Sequence, residues 1–138
     1  MLEPLRAIDT SVLLRYLLND VPAQSDAARR LVDSAIPLAV TAVALAEVAW
    51  VLAGPRYRQA RDVVATQLVD LLARENIVTV GLDKSEAQAS LLACALPVGS
   101  ANFGDALIAA CARSAGVDDI YSFDRRFTRT GMNPIPLP

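Results

Sequence analysis

Apolar residues recur along the chain in two rhythms, short runs and longer stretches at helical spacing, and the two alternate. Leu5 to Ile8 reads as a strand. Thr10 to Leu18 reads as a helix, with Leu13, Leu14, Leu17 and Leu18 on one stripe. Pro22 opens a second helix through Ser34, since proline is accommodated in a first turn. Leu38 to Val40 is a second strand and Val43 to Leu52 a third helix, stopped near Gly54-Pro55. A long amphipathic helix is expected from Tyr57 to Arg74, a strand from Ile77 to Val80, and a helix from Ser85 to Leu96. The small and polar residues of VGSANFG form a loop. Asp105 to Ser114 is the next helix, with Gly116 as its C-terminal cap. Ile120 to Phe123 is a fourth strand, Arg125 to Phe127 a short helical turn, and Pro134 to Pro138 a further edge strand.

Strands alternating with helices predict an α/β fold, a mainly parallel central sheet of four to five strands with helices on both faces. The 138 residues suit a single domain, 1–138, with no repeat or linker. The stretch from Ala35 to Ala53 is nearly all apolar, but Pro37 and Glu47 interrupt it and Thr41 can cap a helix within it. It reads as a buried strand followed by a buried helix, with no membrane span. No basic segment followed by a long apolar core opens the chain, so no signal peptide is expected. The two cysteines, Cys94 and Cys111, lie in alanine-rich helical stretches and read as reduced core residues of a cytoplasmic protein.

The chain contains no histidine. That removes the Ser-His-Asp triad, the Cys-His dyad and every imidazole ligand or base. Hydrolytic chemistry here must rest on carboxylates, lysine, tyrosine, thiol or a metal, and oxygen ligands favour magnesium or manganese over zinc or copper. The net charge of −2 does not advertise a nucleic-acid binder. Set four site acids aside, however, and the thirteen bases outnumber the remaining acids. All of the bases but Lys84 are arginine, whose planar fork suits phosphate, although a GC-rich genome accounts for the same bias.

In an α/β fold, ligands bind at the carboxyl ends of the strands. Asp9 follows the first strand and Asp124 the fourth; each is a candidate site acid or simply the cap of the next helix. Glu47 shares its helical face with Val43, Ala44, Trp50 and Val51, so the face should pack inward. A buried carboxylate needs a cation, a metal or an opening to water. Asp105 starts a helix, where an acid favours the helix dipole, yet Ala101, Ile108, Ala109 and Ala112 share its face. Four acids from four segments at one sheet end would repel unless a cation binds among them. Thr10 and Ser122 stand beside two of the acids and can steady a carboxylate. Arg125, Arg126 and Arg129, with Arg56, Arg58 and Arg61, are candidate phosphate contacts or solvated surface. Asp118 and Asp119 read as a solvated turn, and Trp50 as a core residue rather than a base-stacking one.

The segments AIDTSVLLRYLLND, TAVALAEVAWVL, FGDALIAACARSAG and IYSFDRRF resemble, in order and spacing, the four motifs of PIN-domain nucleases of the VapC toxin type. The resemblance covers essentially the whole chain and places Asp9, Glu47, Asp105 and Asp124 at the four acidic positions. It implies a Rossmann-like fold and a four-carboxylate site holding Mg²⁺ or Mn²⁺. It further implies hydrolysis of RNA phosphodiesters, a cognate antitoxin that blocks the acidic pocket, and a homodimer. Alternatives are a catalytically silent PIN-like domain that only binds a partner, or another magnesium-dependent phosphoryl-transfer enzyme. Asp9-Thr10-Ser11 lacks the second aspartate of a DxD phosphatase motif, and Lys84 is poorly placed for a receiver domain.

Overall fold

A computed structural model of the chain describes residues 4–94 and 101–138. Among these, five strands form one sheet in the order β3-β2-β1-β4-β5, and every adjacent pair is parallel. The strands are β1 (Arg6–Ile8), β2 (Leu38–Thr41), β3 (Ile77–Val80), β4 (Asp119–Tyr121) and β5 (Asn133–Ile135). The helices are α1 (Thr10–Leu18), α2 (Pro22–Val32), α3 (Ala42–Ala53), α4 (Arg61–Leu72), α5 (Lys84–Ala93) and α6 (Phe103–Ser114), with a 3₁₀ helix at Arg125–Thr130.

Every residue of β2 is buried, which requires cover on both faces of the sheet. At the edge, β3 instead exposes Val78 and Thr79. The core gathers Ile8, Leu38, Val40 and Ile120 of the sheet with Leu13, Leu31, Val48, Leu52 and Ile108 of the helices. α1 packs on α2 and α3, while α3 also contacts α4 and α6. Strand order turns at β1: the chain goes to β2 on one side and reaches β4 on the other. That reversal leaves a crevice beside the carboxyl ends of β1 and β4.

Most expected elements occur, with shifted ends. The helix expected from Tyr57 starts only at Arg61. Arg58 takes a left-handed conformation (φ 49°), and the Gln59 N–H donates to Leu52 O at 2.9 Å, so residues 57–60 turn back on α3 instead of winding. The helix expected from Asp105 starts at Phe103, because Asn102 Oδ1 accepts the Asp105 N–H at 2.8 Å and caps it. The loop VGSANFG is therefore shorter than expected at its end; its residues 98–100 lie outside the described residues, as do positions 95 and 96 of the helix expected to run to Leu96. Gly116, at φ 74°, follows α6 in the left-handed geometry expected of a cap glycine. Asp118 is exposed, whereas Asp119 begins β4 and accepts from Asn133 Nδ2 at 3.0 Å.

Two burial expectations fail. Trp50 is 73% exposed and Val51 also faces solvent, so the far end of α3 leaves the core. The cause is position: α3 buries the row Ala44, Val48, Leu52, and Trp50 lies on roughly the opposite side of the helix. Cys111 is buried as expected, but Cys94 is only half-buried at the end of α5; both are free thiols. Among the described residues no helix is long and apolar enough to cross a membrane.

Candidate active site

Asp9 leaves β1 at the switch point, its N–H donating to Tyr121 O of β4 at 3.2 Å. It is 3% exposed, and its carboxylate is fully engaged. Ser11 Oγ donates to Oδ1 at 2.6 Å, the Val12 N–H donates to Oδ1 at 3.2 Å, and Ser122 Oγ donates to Oδ2. Burial raises the Asp9 pKa above its usual value, and these donors pull it part of the way back. Asp9 thus caps α1 and at the same time stands close to Glu47 and Asp105, so the cap does not take it away from the acidic cluster.

Glu47 sits mid-way along α3, half-buried, with Thr10 Oγ1 donating to Oε1 at 3.2 Å. Its pKa is raised by burial first, lowered by Thr10 and raised again by Asp9. Gly104 lies so close that a β-carbon there would stand 2.8 Å from Glu47 Oε2. A side chain at Gly104 would therefore push the Glu47 carboxylate out of its present position.

Asp105, in the first turn of α6, accepts from its own cap residue, Asn102 Nδ2, at 3.1 Å. Its pKa is pushed up to about 6, by burial and then by Asp9, Glu47 and Asp124 in that order, with Asn102 opposing. This ties the cluster together: three acids, one just after β1, one on α3 and one in the segment after β4, lie within electrostatic reach of Asp105. Asp124 caps the 3₁₀ helix, and Arg126 grips both of its oxygens, Nε to Oδ1 and Nη2 to Oδ2, each at 3.1 Å. That fork holds the Asp124 carboxyl below its usual pKa. Asp124 is therefore set apart from the other three: it is paired and its pKa is lowered, while burial above all raises theirs.

Both supporting hydroxyls expected from sequence have partners here. Thr10 holds Glu47, and Ser122 holds Asp9 while accepting the Asp124 N–H at 2.9 Å. Ser11, Asn102 and Gly104 escaped sequence reasoning, though Ser11 and Asn102 could have been found as polar neighbours of a site acid. Among the expected phosphate contacts, Arg126 and Arg129 line, with Asn102 and Asp105, a cleft of about 320 Å³. Arg126 is engaged with Asp124 instead of standing free, because two residues' separation along the 3₁₀ start brings guanidinium and carboxylate together. Arg125 faces a different cleft. Arg56 stacks over the Tyr57 ring at 5.2 Å, and Arg58 Nε donates to Pro55 O, so neither carries an observation that links it to the acids.

Comparison with solved structures gives the same architecture from proteins of low sequence identity. VapC20 of Mycobacterium tuberculosis, a sarcin–ricin loop cleaving toxin, has a TM-score of 0.74 at 19% identity, with 96% of this chain and 99% of that one covered. VapBC2 of Rickettsia felis, bound to a DNA fragment from its promoter, has a TM-score of 0.66 at 13% identity, covering 98% and 100%. FitAB bound to a DNA fragment has 0.65 at 16%, covering 96% and 94%. These identities establish the fold alone. No curated protein matches the chain in sequence. The PIN-domain family, however, matches residues 7–132, from within β1 to just before β5 and so across every element that carries one of the four acids, and the chain belongs to that family.

Proposed function

We propose that this chain is a metal-dependent endoribonuclease and the toxin of a toxin–antitoxin pair, with Asp9, Glu47, Asp105 and Asp124 as its catalytic carboxylates. The observation that carries the reading is the Asp105 environment: three other acids from distant segments stand around a half-buried carboxyl, whose pKa is pushed up to about 6 by burial first and by those acids second. A fold does not collect like charges at its sheet switch point without a use for them. The similarity to VapC20 supports RNA as the substrate class. VapBC2 and FitAB, solved on DNA fragments, support a cognate antitoxin as partner. Trp50, Leu92 and Phe103 are large, exposed apolar side chains of the kind a protein partner or a second copy in a homodimer covers.

The donor set fits a hard divalent cation: four carboxylates, with no histidine in the chain. As oriented, no group of three acids, cysteines or histidines among the described residues is closed into a metal cage. Arg126 occupies both oxygens of Asp124, so a cation that used this carboxylate would compete with the guanidinium for it. Mg²⁺ or Mn²⁺ held by the four acids would acidify a water and polarise a phosphoryl oxygen. The chain's own residues do the rest. Ser11, Ser122 and the Val12 N–H fix Asp9 in one orientation, Thr10 fixes Glu47, and Asn102 fixes Asp105. Arg126 and Arg129, at the rim of the cleft beside Asp105, offer positive charge to the RNA backbone.

One observation favours the silent partner-binding reading: Arg126 already neutralises Asp124, as a permanently closed site would have it. The experiment that decides is RNA cleavage by purified, partner-free protein with Mg²⁺, Mn²⁺ or EDTA, wild type against Asp9→Asn. Metal-dependent cleavage that falls by about a hundredfold or more in Asp9→Asn is the expected result. Cleavage unaffected by EDTA or by the substitution would remove the carboxylate mechanism, and no cleavage of any RNA would leave the silent domain.

A further inference from the structure

A second cleft, of about 600 Å³, borders Ser122 and is lined by none of the four acids. It lies at the carboxyl ends of β4 and β5, the edge of the sheet where ligands of such folds bind. Its walls are Phe123, Ile135 and Leu137, all partly buried against the core, and Pro134, whose ring stiffens the wall. Its polar lining residues are Ser122, Thr128 and Arg125, and no acid lines it; the Ser122 hydroxyl already serves Asp9, and Thr128 Oγ1 donates to Arg125 O at 3.2 Å. Unlike Arg126, exposed Arg125 has no side-chain ion pair or hydrogen bond among the described residues.

We propose that this cleft is a nucleoside-binding subsite, seating the base of an RNA nucleotide next to the one that is cut. The inference rests on the ribonuclease reading for its biological meaning. The observations on which it stands are those of the cleft itself. A ring of two π-faces needs an apolar slot with an aromatic neighbour, which Phe123 and the proline wall supply. A ribose needs a hydrogen-bond partner, for which the Thr128 hydroxyl oxygen keeps its acceptor capacity, and the adjoining phosphate needs a guanidinium, which Arg125 supplies. The volume lies within the range of small-molecule sites. Ser122 joins the two places: its Oγ holds Asp9, while the residue itself borders the cleft. A base seated here therefore sets the distance of its phosphate from the acids. The cleft would act as a specificity element, selecting which nucleotide flanks the cleaved bond.

The test is an amide NMR titration of the full chain, in the Asp9→Asn background with EDTA, using the four nucleoside 5′-monophosphates separately at millimolar concentration. At least one is expected to move the amides of Thr128, Ile135 and Leu137 in a saturable way. Phe123→Leu should weaken that binding about fivefold or more, as the loss of one stacked base requires. Arg125→Gln, at an exposed position that cannot disturb the fold, should weaken the monophosphate but not the parent nucleoside. Absence of shifts with all four nucleotides, or affinity unchanged in both variants, overturns the proposal. So does saturation of the cleft by a short apolar peptide with no response to any nucleotide, which would make it a seat for a protein partner. EDTA and Asp9→Asn silence the acidic site, so nucleotide binding here can succeed while cleavage by the wild type fails. That combination would sink the ribonuclease reading and keep the subsite.

Discussion

At the scale of single residues, the site is held together against its own electrostatics. Asp105 keeps a proton more tightly in the folded protein, with a pKa of about 6 against a usual 3.8. Its charge therefore costs no stability below about pH 4. The cost grows as pH rises through about 6 and is complete above it. Removing the charge should thus stabilise the metal-free protein at neutral and alkaline pH only. Asp105→Asn in EDTA is expected to gain about 1 kcal/mol at pH 8, once the group's half exposure is discounted. The gain should fade as pH drops toward 4, and paired thermal melts across that range would read it. A gain that did not depend on pH would mean that burial and the neighbouring acids do not raise the Asp105 pKa. Asp9 and Asp124 were legible in the sequence because each follows a strand whose end an α/β fold aims at the site. Ser11, Asn102 and Gly104 were not, since each acts only through a contact: two with a carboxylate nearby in sequence, one across the fold with Glu47.

At the scale of elements, periodicity located the helices and strands but not which way each helix turns. α3 shows why. Nearly all of its residues are apolar, so no stripe marks the buried face, and the sequence could not say which row points inward. The structure buries Leu52 completely and leaves Trp50 73% exposed. Two truncations in one helix should then differ sharply. Leu52→Ala should cost about 2–4 kcal/mol in urea unfolding, through lost burial and a residual cavity. Trp50→Ala, despite removing the larger side chain, should stay within about 0.5 kcal/mol. Equal costs would place Trp50 back in the core. Glu47 sits in this same helix, and its half exposure follows from the same rotation: the row that carries it lies beside the buried one, opening the carboxylate toward α6 and the crevice.

At the scale of the whole molecule, the four acids tie together segments that are remote along the chain. Asp9 and Asp124 stand toward opposite ends of the sequence, just beyond the two strands flanking the switch point, and Glu47 and Asp105 arrive from helices packed on each other. Their repulsion strains those contacts, and a cation shared among them would convert strain into cross-linking. A ligand that binds the folded chain and not the unfolded one stabilises it by mass action, about 2.7 kcal/mol at a hundredfold excess over Kd. Mn²⁺ or Mg²⁺ should therefore raise the melting temperature of the partner-free wild type by several degrees. Potassium chloride at equal ionic strength should not, because screening lacks the site's geometry. Asp9→Asn should remove most of the metal-induced rise, and Arg126→Gln should enlarge it, since the cation no longer competes with a guanidinium for Asp124. The second variant makes the argument specific. A metal that bound elsewhere on the surface would stabilise wild type and Arg126→Gln alike, and the four-carboxylate assignment would then lose its support.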